Sequence, residues 1–172
     1  MRHNGRVSHD EVIEVVVEIP KGSRNKYEFD KERGIIKLDR RLLSATTYPA
    51  DYGFVPETLA DDGDALDALV LLDDPTFPGC WVLARPLGIF WMEDEKGADA
   101  KIVCVAANDP FMDPVADIDD LPEPLLEEIK HFFDVYKTLE RKKTATHGYE
   151  GVEAALAEIE TSRARWRERA EH

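Results

Sequence analysis

The sequence is short of cysteine, short of positive charge and free of long apolar runs, and each shortage excludes something. Only Cys80 and Cys104 occur among 172 residues. Two thiols make no disulfide framework, and without C-x-x-C spacing they make no thiolate zinc site. Each sits in an apolar run, so both read as buried, reduced cysteines of a cytoplasmic protein. Lys and Arg total 22 against 36 Asp and Glu, a formal net charge of −14. That balance opposes a basic face of the kind that displaces counterions from nucleic acid, and it opposes attraction to an anionic membrane surface. No uncharged stretch nears the ~20 residues that span a bilayer. The opening MRHNGRVSHDEV lacks the apolar segment of a signal peptide. A cytoplasmic location without nucleic-acid or membrane partners is expected. His3, His9, His131, His147 and His172 show no ligand spacing. What remains is a chain 43% hydrophobic, enough for a core, and of a length that suits one domain.

Hydrophobic alternation places strands first. In residues 12–19, VIEVVVEI, the side chains of Ile13, Val15, Val17 and Ile19 point one way. Residues 26–29 alternate again, Lys26 and Glu28 opposite Tyr27 and Phe29, and a turn over 30–34 returns into strand 35–38 as a hairpin. Residues 44–60 hold two prolines and read as a packed irregular loop with a short strand near 52–55. Residues 66–72, LDALVLL, read as a buried strand. Residues 80–92 read as a long strand bent near Pro86 and Gly88, followed by a turn and strand 100–106. Helical periodicity appears only later. One helix starts near Pro122 and runs to about Leu139, with Leu125, Ile129, Phe132, Phe133 and Tyr136 as its stripe; a second covers about 151–170. Strands followed by two helices predict an α+β domain around a β-barrel or strongly curved sheet.

The polar residues fall into three sets. Asp61-Asp62-Gly63-Asp64-Ala65-Leu66-Asp67 packs four carboxylates onto a tight turn. Hard cations such as Mg²⁺ take oxygen ligands of this kind, and an EF-hand is excluded because Leu66 falls where a ligand is needed. The second set is Asp94, Asp99 and Lys101 in MEDEKGADAKI, with Asp99 and Lys101 on one strand face. The third is cationic and phenolic: Lys26, Arg40, Tyr48, Tyr52, Tyr136 and Lys137. Arg and Lys bind phosphate, and a tyrosine hydroxyl donates to its oxygens. Taken singly, each set also fits a plain reading: a solvated acidic turn, a charged hairpin tip, a strand or helix residue.

Read jointly, the segments EIPKGSRNKYEFD (18–30), LDR (38–40), YPADYGF (48–54), DGDALD (62–67), MEDEKGADAK (92–101) and HFFDVYKTLE (131–140) resemble family I soluble inorganic pyrophosphatase, bacterial type, in order and spacing. The resemblance implies a small closed five-stranded OB-like β-barrel with flanking C-terminal helices. It implies hydrolysis of pyrophosphate to two orthophosphates by a Mg²⁺-activated water, in a homohexamer. By matching segments, Asp62, Asp67 and Asp99 fall on principal metal positions, Asp94 and Asp99 on those of a metal arriving with substrate, and Glu18 and Glu28 on acids supporting a further metal. Lys26, Arg40, Tyr52, Lys101, Tyr136 and Lys137 fall on phosphate-binding positions. Asp64 falls on the group taken to receive the nucleophile's proton, a role some accounts give to the position of Asp99; Tyr48 and Asp61 are subsidiary. The match begins near residue 12, leaving residues 1–11 as an extension expected to be flexible. Two features depart from the family. Ala65 stands where most relatives carry proline, which removes no ligand but leaves the turn less constrained, and residues 144–150 diverge.

Three other readings use less of the chain. An acidic cation-binding domain without catalysis has no use for the cationic set. An OB-type nucleic-acid module needs a basic groove. A nucleotide phosphohydrolase needs a grip on a base, and no such element is evident.

Overall fold

The computed structural model describes residues 11–172, so all but the last residue of the expected N-terminal extension lies outside the described residues. Nine strands precede or separate two helices: β1 (Ile13–Ile19), β2 (Asn25–Asp30), β3 (Ile35–Arg41), β4 (Asp51–Phe54), β5 (Asp67–Leu71), β6 (Trp81–Asp94), β7 (Gly97–Ala98), β8 (Lys101–Ala106), α1 (Glu123–Val135), β9 (Ala145–Gly151) and α2 (Val152–Ala170). The hairpin expected from the 26–38 alternation is β2–β3, with a bulge between Lys26 and Tyr27.

Pairing runs β1-β4-β5-β8-β6, and β6 pairs back to β1. The five strands therefore close into the barrel that the sequence pattern anticipated, which removes the exposed edges of an open sheet. Closure depends on β6. Its first part, 81–84, pairs with β1, and its middle, 84–90, pairs with β8. The ladder shifts register between Pro86 and Gly88, the bend expected there, because Pro86 has no N–H to give.

β5 and β8 are buried on both faces, as their apolar runs require. Leu69 and Val103 join Ile129, Phe132 and Phe133 of α1 in one core cluster. Ala68, Val70, Ile102 and Cys104 join Ala155 and Ile159 of α2 in the other. The face shared with α1 also carries Asp67 and Lys101 at the strand ends, and β5–β8 parallel register sets these two residues directly opposite each other.

Two expectations need correcting, and one strand stands where no element was expected. The first helix stops at Val135 rather than near Leu139. Lys137 leaves helical geometry at φ −104°, and a short 3₁₀ turn, Thr138–Glu140, ends at Arg141 with φ 59°. The divergent stretch 144–150 forms most of β9, which pairs with β6 from Gly88 to Glu93. Its glycines, Gly148 and Gly151, hid the strand pattern. Cys104 is buried as expected, but Cys80 is only half-buried. Trp81 and Trp166 lie on the surface at 59% and 37% exposure.

Gly88 tests the β6–β9 contact. A Cβ there would stand 2.5 Å from the Glu150 carbonyl oxygen and 2.8 Å from Ile118 Cβ. Gly88→Ala is expected to cost about 1–3 kcal/mol, the usual cost of overpacking. Urea unfolding reads this out, and an unchanged midpoint would contradict the close approach of these strands.

Candidate active site

One cavity of about 480 Å³ opens beside α1 at the ends of β5 and β8. Its wall holds Glu18 from β1, Lys26 and Glu28 from β2, Tyr52 from β4, Asp62, Asp64 and Asp67 from the turn into β5, Asp94 and Asp99 from around β7, and Tyr136 and Lys137 from the end of α1. Residues far apart in sequence are brought together because three barrel strands and one helix end at the same place. Of the residues singled out in sequence, Lys101, Arg40 and Asp61 do not line the cavity. Lys101 lies beneath it, and Arg40 stands beside Lys26 on the neighbouring hairpin strand.

Lys101 is the most buried charge of the group, at 1% exposure. Its Nζ donates to Tyr52 Oη at 2.9 Å, Asp67 Oδ2 at 3.0 Å and Asp99 Oδ2 at 3.1 Å. It lies 5.1 Å from the ring centres of both Tyr52 and Phe133. Burial alone would favour loss of its proton, but Asp67 and Asp99 hold it on and raise the group above the ordinary lysine range. Three donors with three acceptors is full satisfaction for an ammonium, which is what its burial requires.

The other carboxylates are less well compensated. Burial raises Glu18 to about 7, although its Oε2 accepts the Phe29 N–H at 2.7 Å. Burial raises Asp99 to about 6, with Lys101 opposing and Asp67 adding to the rise. Burial and the neighbouring Asp99 and Asp64 charges raise Asp62, against a hydrogen bond from the Asp64 N–H. Asp64 itself is 72% exposed at the side chain, with Lys96 Nζ 4.0 Å away. Among the described residues no three acids, imidazoles or thiols stand convergent enough to share one ion as arranged. Lys101 lies between Asp67 and Asp99, and Lys137 lies 3.3 Å from Asp94.

The cationic side is held by acids, of which Asp39, Glu95 and Glu140 lie outside the sets read from the sequence. Lys26 Nζ lies 2.8 Å from Glu28 and 3.3 Å from Asp39. Arg40 pairs with both Asp39 and Glu140. Partial burial works against it, yet Lys26 and Arg40 keep the Asp39 carboxyl below its ordinary range. Lys137 also reaches Glu95 at 3.5 Å. The signal for Asp39 was its place beside Arg40 on a hairpin strand facing Lys26, and for Glu140 the end of the HFFDVYKTLE segment. Tyr48 is buried under the site, its ring 5.4 Å from Tyr52 and 4.7 Å from Phe132. Burial raises Tyr48, Tyr52 and Tyr136, so all three keep their protons at neutral pH.

Hard oxygen donors, several of them desolvated and next to like charges, are the donor set that divalent cations of the Mg²⁺ type take. By that criterion the residues fit such an ion.

A profile of the family described as Inorganic pyrophosphatase matches residues 15–167. The inorganic pyrophosphatase of Methanosarcina acetivorans is 50% identical over 159 residues, covering 92% of this chain and 95% of that protein. That of Streptomyces coelicolor is 52% identical over 161 residues, covering 93% of this chain and 99% of that protein. The crystal structure of inorganic pyrophosphatase from Thermus thermophilus matches with TM-score 0.89 at 46% identity, covering 97% of each chain.

The pH dependence of stability follows from the raised carboxyls. Unfolded, Glu18 and Asp99 titrate near 4.5 and 3.8; folded, they hold their protons to about 7 and about 6. Below the unfolded values both states are protonated and nothing is lost. As pH rises through the window, the unfolded chain releases protons first, so stability falls, and the loss is complete above the folded values. With EDTA present, the melting temperature is expected to fall between about pH 4.5 and about pH 7.5, and Glu18→Gln to flatten the fall. A profile unchanged by that substitution would contradict the uncompensated burial of Glu18.

Proposed function

Because the chain belongs to the inorganic pyrophosphatase family, we propose that it hydrolyses pyrophosphate to two orthophosphates with Mg²⁺, at the cavity between β5, β8 and α1. The observation that carries this reading is one cavity lined by a carboxylate set and a cationic, phenolic set together. The first suits hard cations, the second suits phosphate oxygens.

In this reading Asp62, Asp67 and Asp99 hold the principal metal, Asp94 and Asp99 the metal that accompanies substrate, and Glu18 and Glu28 support a further one. A bound Mg²⁺ supplies charge neutralisation for phosphate oxygens and lowers the pKa of water. Asp64, exposed at the cavity rim, receives the proton of the attacking water. The water oxygen bonds to one phosphorus as the bridging P–O bond breaks, and its electron pair leaves with the second phosphate. Lys26, Arg40 and Lys137 neutralise that leaving group, mainly by position and charge. Arg40 exchanges Asp39 or Glu140 for phosphate oxygens. Tyr52 and Tyr136 stay protonated and so donate. Lys101 keeps Asp67 and Asp99 apart and charged.

The finer reading extends to one domain acting as a cytoplasmic homohexamer, without nucleic-acid or membrane partners. No helix among the described residues is long and apolar enough to cross a membrane. The exposed apolar residues Phe77, Trp81, Leu83 and Trp166 offer surface for contact between copies.

Orthophosphate release from pyrophosphate is expected with Mg²⁺, to vanish in excess EDTA, and to exceed release from ATP by a wide margin. Asp67→Asn is expected to lose nearly all turnover at saturating Mg²⁺. Full activity in that variant, or equal rates on ATP, would contradict the assignment.

A further inference from the structure

The acidic turn is built mostly from its own hydrogen bonds. Asp64 N–H donates to Asp62 Oδ1 at 3.0 Å, Ala60 N–H to the Asp64 carbonyl at 2.7 Å, and Gly63 N–H to the Ala60 carbonyl at 3.1 Å. Gly63 takes φ +88°, which glycine adopts freely. The stem is fixed separately: buried Thr58 donates from Oγ1 to the Val55 carbonyl at 2.6 Å and accepts the Leu66 N–H at 2.9 Å. At the tip, Ala65 packs with Val16 and Phe54, and Asp64 meets Lys96 Nζ at 4.0 Å. Position 65 is alanine, so the chain sets no φ there. Between the tip and the end of α2 lies an open cavity of about 520 Å³, lined by Gly63, Asp64, Ala65, Trp166 and Arg169 among others. What ties this end of the turn to α2 is polar. Leu59 N–H donates to the Ser162 carbonyl at 2.9 Å, and Arg165 Nη2 lies 2.8 Å from Asp61 Oδ1. Arg165 Nη1 is steadied in turn by Glu158 at 3.5 Å. Glu158 and Arg165 flank Ser162, which is itself fully buried and continues the core stripe of Val152, Ala155 and Ile159, so the turn meets α2 along the edge of its core-facing side.

We infer that Arg165 is a positioning residue for the acidic turn, holding Asp61 through its guanidinium so that Asp62 and Asp67 keep the spacing a divalent cation needs. The inference rests on the reading of those two carboxylates as metal ligands. Arg165 touches no reacting atom. Its effect is to lessen the freedom that the turn must surrender when it binds an ion. The pair is partly exposed, which bounds its weight.

The test titrates Mg²⁺ by calorimetry into the full chain, stripped with EDTA and dialysed, without substrate. Arg165→Gln is expected to weaken Mg²⁺ binding about two- to fivefold, the range for an exposed ion pair. Asp61→Asn is expected to weaken it equally, the double variant no further, and Arg165→Lys to recover part of the loss. The metal-free melting temperature of Arg165→Gln is expected to stay within about 2 °C of the parent. Unchanged Mg²⁺ affinity in Arg165→Gln, or additive losses in the double variant, would overturn the inference. So would a weakening that tracks a lowered metal-free melting temperature and is not rescued by lysine. Asp67→Asn separates the two levels. If it binds Mg²⁺ as tightly as the parent, the ligand reading fails and the inference with it. If it binds weakly while Arg165→Gln does not, the inference alone fails.

Discussion

One buried ammonium, Lys101 Nζ, holds the site together. Parallel pairing of β5 and β8 sets it opposite Asp67, Asp99 reaches it from the link just before β8, and β4 brings Tyr52 within reach. Remove it and a buried carboxylate, Asp99, would face a partly buried one, Asp67, across an apolar floor, at the cost that attends a half-broken ion cluster. Its presence also sets a limit. Lys101 pairs directly with Asp67 and Asp99, while Lys26 and Lys137 are engaged by Glu28, Asp39, Asp94 and Glu95. Burial leaves Glu18 and Asp62 with raised pKa values, although Lys26 and Lys101 act on them from a distance, and among the described residues neither forms an ion pair. A net negative cavity of this kind, in a chain already at −14, has little attraction for an anionic substrate unless cations enter with it.

The two helices divide the work around this centre. α1 packs Phe132, Phe133 and Tyr136 over the floor, so the aromatic wall that dries the Lys101 cluster also delivers Tyr136 and Lys137 to the cavity. Dry surroundings strengthen each polar contact within them. α2 covers the opposite face of the same strands with Ala155 and Ile159 and meets the turn through Arg165 and the Ser162 carbonyl.

Much of this was legible from the residues. Alternation in VIEVVVEI, the apolar run LDALVLL and the Pro86–Gly88 interruption each carry a local physical signature, and the corresponding strands stand where the pattern put them. The acidic turn was visible because so many carboxylates in so few residues is costly without a purpose. Pairings across long separations were not legible: nothing local in Asp67 or Lys101 says that their strands run parallel and in register. β9 was hidden because its glycines dilute the strand pattern and its partner, β6, is distant in sequence. Glu140 was hidden as a partner of Arg40 because that contact joins a hairpin to a turn 100 residues later. The early end of α1 was equally invisible, since its apolar stripe continues through Tyr136 with no breaking residue behind it.

The central claim is that the cavity's carboxylates carry more negative charge than the fold compensates and await divalent cations. The most direct measurement is the number of protons released when Mg²⁺ binds the stripped chain, obtained by calorimetry in buffers of different ionisation enthalpy. The account predicts release near pH 6.5, where Glu18 and Asp99 still hold part of their protons, and a release that fades by about pH 8.5. Mg²⁺ binding with no proton release at either pH, or no binding at all, would contradict it.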